Sequence, residues 1–149
     1  MKSFKVYYIN LNRSTDRRAL MEKQFHDFNI PITRIPAING RELNNDVLTK
    51  ARKEQNLLAH FSKLQSGEIG CFRSFLESYM LIHKQQEDFA ILLENDVLID
   101  KNFFEDLQNI LGSISIDDFV DITGRKGFVR MEMNALLNKF VVPPVGNTA

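Results

Sequence analysis

Two short stretches constrain this chain more than any other feature: "VYYIN", residues 6–10, and "AILLEN", residues 90–95. Each is apolar on both parities and then breaks into polar residues. A strand with one face in water alternates apolar and polar side chains, and a strand covered on both faces does not. Both runs therefore read as interior strands of a mostly parallel sheet with helices on its faces. In open sheets of that kind, ligands bind beyond the carboxyl ends of the strands. The polar residues that end the two runs, Asn10 to Arg13 and Glu94 to Asp96, are the first places to look for chemistry.

The rest of the chain supplies matching elements. Leu20, Met21, Phe25 and Phe28 recur at helical spacing, so residues 16–28 read as an amphipathic helix. Ser14 or Thr15 caps it, Asp16 lies in its first turn and Pro31 marks its end. "ITRIPAI" is a short second strand and "NGREL" a turn. Residues 45–64 read as a weakly patterned helix capped by Asn44, Asn45 or Asp46. Residues 65–85 carry a clearer stripe of Ile69, Phe72, Leu76, Tyr79 or Met80, and His83, with Ser66 as the cap. That Phe-bearing stripe reads as core. A helix near 102–111 rests on Phe103, Phe104, Leu107, Ile110 and Leu111, and further strands are expected at Phe119 to Thr123 and Phe140 to Val142. "GRKGFVR", 124–130, reads as a small basic turn. The order is βαβ, then helices, then βαβ, which makes the fold class α/β. With 149 residues and no linker-like stretch, the chain reads as one domain, 1–149.

Nineteen basic and nineteen acidic residues balance to a formal charge of zero, so no bulk basic field draws nucleic acid. A local basic patch for a phosphate-bearing ligand is compatible with that balance. Cys71 is the one cysteine and cannot form an internal disulfide, which points to a reducing compartment. It reads as a small core residue rather than a nucleophile. No apolar run approaches the roughly 18 residues of a membrane span, and the first ten residues lack a signal-peptide pattern. The expected location is cytoplasmic. Peripheral contact with an inner membrane, and self-association, stay compatible with the sequence.

If the strand beginning at Ala90 stays extended through its acidic end, Glu94 and Asp96 share a face, roughly 7 Å apart at about 3.3 Å per residue, and Asn95 faces away. Two carboxylates so placed suit a divalent cation, which would relieve their repulsion. The loop after the first strand offers Asn10 for hydrogen bonds and Arg13, Arg17 and Arg18 for anions, since the arginine fork donates to phosphate bidentately. A nucleoside diphosphate with a metal fits this set. Acid pairs at strand ends and arginines in a first helical turn also occur as plain solvated features. Gly67 and Gly70 read equally as packing glycines or as a close approach to phosphate.

Four blocks, in order, resemble glycosyltransferase family 25. "VYYINLNRSTDRR" is similar to the family's opening strand and nucleotide-sugar loop, and "RIPAINGREL" to its P-A-x-x-G block. "LQSGEIGCFRSFLESY" is similar to its G-E-I-G-C-x-x-S-H block, and "AILLENDVLI" to its I-L-E-D-D-V block. The resemblance covers about residues 4–100, and "PPVGNTA" resembles the start of a later block. It implies a GT-A-type, Rossmann-like nucleotide-sugar-binding sandwich and an inverting transfer of a sugar, usually galactose, from a UDP-sugar. The setting it implies is bacterial lipopolysaccharide or lipooligosaccharide assembly, with a saccharide acceptor. It also implies a divalent ion, Mn²⁺ or Mg²⁺, held by Glu94 and Asp96, with Asn10, Leu11, Arg13 and Arg17 on the nucleotide side.

The chain departs from the family pattern in three places. The middle carboxylate of E-D-D is Asn95, and the histidine of the helix block is Phe75. The sequence also stops inside the later block, so the expectation is an N-terminal donor-binding part, apparently truncated at the C-terminus. No general base is assignable within it, although inverting transfer needs one to deprotonate the acceptor hydroxyl. A catalytically incomplete nucleotide-sugar-binding or interaction module is the alternative. A metal-dependent nucleotidyl or phosphoryl transferase is a third reading.

Overall fold

The computed structural model describes residues 4–56, 64–85, 89–100, 102–113, 118–121 and 129–132. The chain divides into two compact units, Met1–Lys101 and Asn102–Ala149.

The first unit is built on a parallel sheet. Strand β1, Lys5–Asn10, lies between β2, Ile32–Pro36, and β3, Ala90–Glu94. In register, Val6 lies opposite Ile32 and Ile91, and Ile9 opposite Ile35 and Glu94. Every residue of β1 from Val6 to Asn10 is buried, on both parities, which is the central-strand pattern expected from "VYYIN". The fold is α/β, as expected.

Helix α1 spans Thr15–Asp27 and buries Met21 and Phe25, four residues apart, while Leu20 and Phe28 stay partly exposed. Ser14 is the N-cap residue, without a side-chain capping bond. Past the C-cap Phe28, Asn29 takes the left-handed conformation at φ 54°, one of the few residue types that does so readily. This reverses the chain into Pro31 and β2. Gln24 ties α1 to the chain beyond β3: its amide donates to the Val97 carbonyl at 3.1 Å and accepts from the Ile99 N–H at 2.9 Å.

Two further helices follow β2. A 3-10 turn, Gly40–Glu42, leads to α2, Asn45–Asn56, capped by Asn44, whose side chain accepts from the Val47 N–H at 2.8 Å. Helix α3, Ser66–Lys84, differs from expectation at its start and on its buried face. Its cap is Gln65, not Ser66: Gln65 and Glu68 form a reciprocal capping box, with the Gln65 N–H donating to Glu68 Oε2 at 2.7 Å. Its buried residues are Ile69, Gly70, Ser74 and Ser78, whereas Phe72 and Met80 are exposed. Ile69 follows the expected stripe, and beyond it the face that packs is chosen by size rather than hydropathy. A Cβ on Gly70 would lie 2.5 Å from the Gly40 nitrogen, and one on Gly40 would lie 1.7 Å from the Ser66 carbonyl oxygen. Only two glycines allow the 3-10 turn and α3 to touch backbone to backbone. Ser74 Oγ then accepts from the Ile38 N–H at 2.8 Å and donates to the Gly70 carbonyl at 2.7 Å.

The second unit holds α4, Phe103–Ser113, with Leu107 and Leu111 buried and the Phe103 and Phe104 rings edge-on at 5.1 Å. It also holds an antiparallel pair, β4, Asp118–Asp121, and β5, Val129–Glu132. Strand β5 begins within the expected basic turn 124–130, whose residues 124–128 lie outside the described residues. Thr123 and the strand expected at Phe140 to Val142 lie outside the described residues.

Candidate functional site

Because β1 and β3 run parallel and in register, their carboxyl ends open on one edge of the sheet. A cleft of about 270 Å³ lies there. Leu11, Arg13 and Ser14 from the loop after β1, and Arg17 from α1, form one wall. Ala37 to Arg41, after β2, form a second. Gly67, Cys71, Ser74 and Phe75 from the first turns of α3 form a third, and Glu94 and Asn95 close the floor at the end of β3. Four segments far apart in sequence thus meet at one place.

The loop after β1 is held by a buried clamp. Asn10 is 1 % exposed. Its Nδ2 donates to the Ser14 carbonyl at 3.1 Å, and its Oδ1 accepts from Arg34 Nε at 3.1 Å. A second Arg34 nitrogen donates to the Asn10 carbonyl at 3.0 Å and to Asn12 Oδ1 at 2.6 Å. The Asn10 amide is thus taken up inside the protein, where it fixes the loop that carries Leu11, Arg13 and Ser14 to the cleft. Arg34, on β2, is the partner that sequence reasoning missed. The signal available was a charged residue inside a short strand of an otherwise apolar sheet.

Beneath the loop, the buried Tyr8 hydroxyl donates to Glu22 Oε1 at 3.0 Å, and Arg18 Nε donates to the same oxygen at 2.9 Å. Burial, reinforced by the Glu22 carboxylate, pushes the Tyr8 phenol up to about 12. The hydrogen bond from Arg18, then that from Tyr8, holds Glu22 below the usual carboxylate range. Arg18 is therefore part of α1's own hydrogen bonding and does not line the cleft.

The acidic segment departs from simple alternation. Strand β3 ends at Glu94, and Asn95 and Asp96 form a turn. Asn95, not Asp96, accompanies Glu94 in the cleft lining. Asp96 is exposed and lies 3.7 Å from an Arg17 nitrogen, which also approaches Asn95 Oδ1 at 3.4 Å. An extended strand through Asp96 would have put the two carboxylates together, and the turn separates their roles. Among the described residues no group of three His, Cys, Asp or Glu side chains could hold a metal. One carboxylate completed by phosphate oxygens and water is a coordination that Mg²⁺ accepts. The lining therefore fits a cation that arrives with a phosphate ligand rather than one caged by the protein.

Two glycines of the α3 block separate in role. Gly70 is a packing glycine, whereas a Cβ on Gly67 would meet nothing within 4 Å. Gly67 lines the cleft at the amino end of α3. Cys71, expected in the core, is exposed and lines the cleft instead. Partial desolvation of its sulfur, and then the negative charge of Glu94, raise its thiol pKa, so it is poorly suited to act as a nucleophile. Arg41 was missed as a cleft residue because "NGREL" reads locally as a plain turn.

The class this arrangement defines is a parallel α/β domain with an arginine-lined cleft at the carboxyl edge of its sheet. The chain belongs to glycosyltransferase family 25, whose profile, described as "LPS biosynthesis protein", matches residues 3–143. It is 28 % identical over 111 residues to a glycosyltransferase 25 family member of Drosophila melanogaster, an alignment covering 72 % of this chain and 18 % of that protein. It is 27 % identical over 114 residues to human procollagen galactosyltransferase 2, covering 73 % and 18 %. Procollagen galactosyltransferase 1-B of Xenopus laevis is 28 % identical over 115 residues, covering 74 % and 19 %. The chain thus spans less than a fifth of the length of these animal relatives. Among the described residues, no helix is long and apolar enough to cross a membrane.

Proposed function

We propose that this chain is the donor-binding part of an inverting glycosyltransferase that takes a UDP-sugar, with galactose as the transferred sugar. One observation carries the reading: the four family-like blocks, separated in sequence, all contribute to the same cleft. Names of relatives that are galactosyltransferases support the sugar. The family's description as an LPS biosynthesis protein supports a lipooligosaccharide-like acceptor.

In this reading Arg13, Arg17 and Arg41 face the diphosphate, and the Asn10–Arg34 clamp keeps Arg13 in place. Leu11 offers an apolar contact to the base, and Glu94 faces the ribose or a cation carried by the phosphates. Asp96 steadies Arg17 from outside the cleft and reaches a cation only through water. When bound, Mn²⁺ or Mg²⁺ would act as a Lewis acid on the leaving diphosphate. The arginines stabilise the charge that gathers on the leaving group as the bond to the sugar breaks. The deprotonating base for the acceptor has no assigned residue.

Release of UDP from UDP-galactose, followed with and without a lipooligosaccharide acceptor, tests the reading. Acceptor-stimulated release that is abolished in Glu94→Gln supports a transferase. Binding of UDP-galactose without any release identifies the alternative, a nucleotide-sugar-binding module that does not turn over.

A further inference from the structure

The wall that α3 gives to the cleft changes character along its length. Gly67, Cys71 and Phe75 follow one another at four-residue intervals on one face of the helix, and all three line the cleft. From Gly67 to Phe75 the helix rises about 12 Å, at about 1.5 Å per residue. Its amino end favours anions, because the first N–H groups of a helix lack carbonyl partners. The segment after β2 runs beside this wall in the opposite direction. Ile38 is level with Ser74, whose hydroxyl accepts its N–H at 2.8 Å. Gly40 packs on the Ser66 carbonyl at the amino end, and Arg41 follows it. The two walls therefore grade the same way, from a basic end at Gly67 and Arg41 to an apolar end at Ile38 and Phe75. Between them, Cys71 is close enough to Glu94 for that carboxylate to raise its thiol pKa. Arg13 and Arg17 belong to the wall from the β1 loop and α1 and set no direction along α3.

A nucleoside diphosphate has the same order of chemistry: charged phosphates, a ribose with hydroxyls for a carboxylate to accept, then a flat base. Phe75 is half-buried, with its ring 6.2 Å from that of Tyr79 one turn further on. It stands where the family's helix block has a histidine, and it offers a ligand no hydrogen bond, only the face and edge of its ring. We propose that Phe75 is the stacking platform for the base of the sugar nucleotide, which lies with its diphosphate toward Gly67 and Arg41. The inference rests on the donor-site reading above and gives the donor a direction in the cleft.

Two measurements test it. In the parent chain with bound UDP-galactose, intermolecular NOEs are expected from uracil H5 and H6 to the Phe75 ring. Contacts from the Phe75 ring to the galactose protons instead would overturn the platform and leave the donor site standing. Calorimetric titration with UDP and with UDP-galactose supplies the second test. Phe75→Leu keeps an apolar side chain but loses the flat face, and should weaken both ligands equally, about tenfold, as loss of a base–aromatic stack does. Phe75→Tyr keeps the ring and should bind both within about threefold of the parent. Undiminished UDP binding by Phe75→Leu, or a loss confined to UDP-galactose, contradicts the assignment of the base. A parent chain that binds neither UDP nor UDP-galactose overturns the donor-site reading along with it.

Discussion

Asn10 illustrates how a residue chosen for one reason serves another. Its place at the end of a central strand points to ligand contact, yet it is buried and its amide is bonded to Ser14 and Arg34. It acts by shaping the loop. Replacing Arg34 with Ala leaves the Asn10 oxygen without its strongest donor. That should cost about 2 kcal/mol of stability, the range for a buried group left unsatisfied, and weaken UDP-galactose binding further than the stability loss explains. Denaturant titration and calorimetry on the same protein check both parts. Tyr8 provides a pH test. Its folded-state pKa, about 12, lies above the ordinary tyrosine value near 10. Between those values the unfolded chain loses the proton while the folded one keeps it, so stability should fall as pH rises from 10 to 12. Tyr8→Phe should flatten the thermal-stability profile in that window. An unchanged slope would remove Tyr8 as its cause.

At the scale of elements, β1, α1, β2 and β3 are legible because apolar parity and helical spacing report burial directly. Helix α3 was misread for a physical reason. Ile69 of the expected stripe is buried, but the rest of the buried face is Gly70, Ser74 and Ser78, which score as neutral or polar and suit a close approach of two backbones. Hydropathy pointed instead to Phe72 and Met80, which are exposed. The glycines supply the test. Gly70→Ala forces a Cβ against the Gly40 backbone and should destabilise by about 1–3 kcal/mol, as overpacking does. Gly67→Ala meets open space and should be neutral to slightly stabilising, because alanine is the better helix former. Thermal unfolding of the two variants should therefore separate them clearly, and equal losses would contradict the packing described for α3. The acidic end of β3 was half legible. Glu94 lies where strand geometry puts it, but alternation cannot announce that the strand stops there and that Asn95 turns into the cleft. The short β5 gave too few residues for any period to emerge.

For the whole molecule, the order of motifs in sequence is explained by their convergence in space. The loop after β1, the 3-10 turn after β2, the start of α3 and the end of β3 are each local features of modest specificity. The parallel register of β1 and β3 and the glycine contact between the 3-10 turn and α3 bring them to one cleft. That assembly, rather than any one residue, is the core of the functional reading. Amide chemical shifts followed during titration with UDP-galactose test it most directly. The account predicts that the largest changes fall together on Leu11 to Ser14, Ile38 to Arg41, Gly67 to Cys71 and Glu94 to Asn95, with little change across the second unit. Saturable binding whose shifts cluster elsewhere, or reach only one of these four segments, would contradict it.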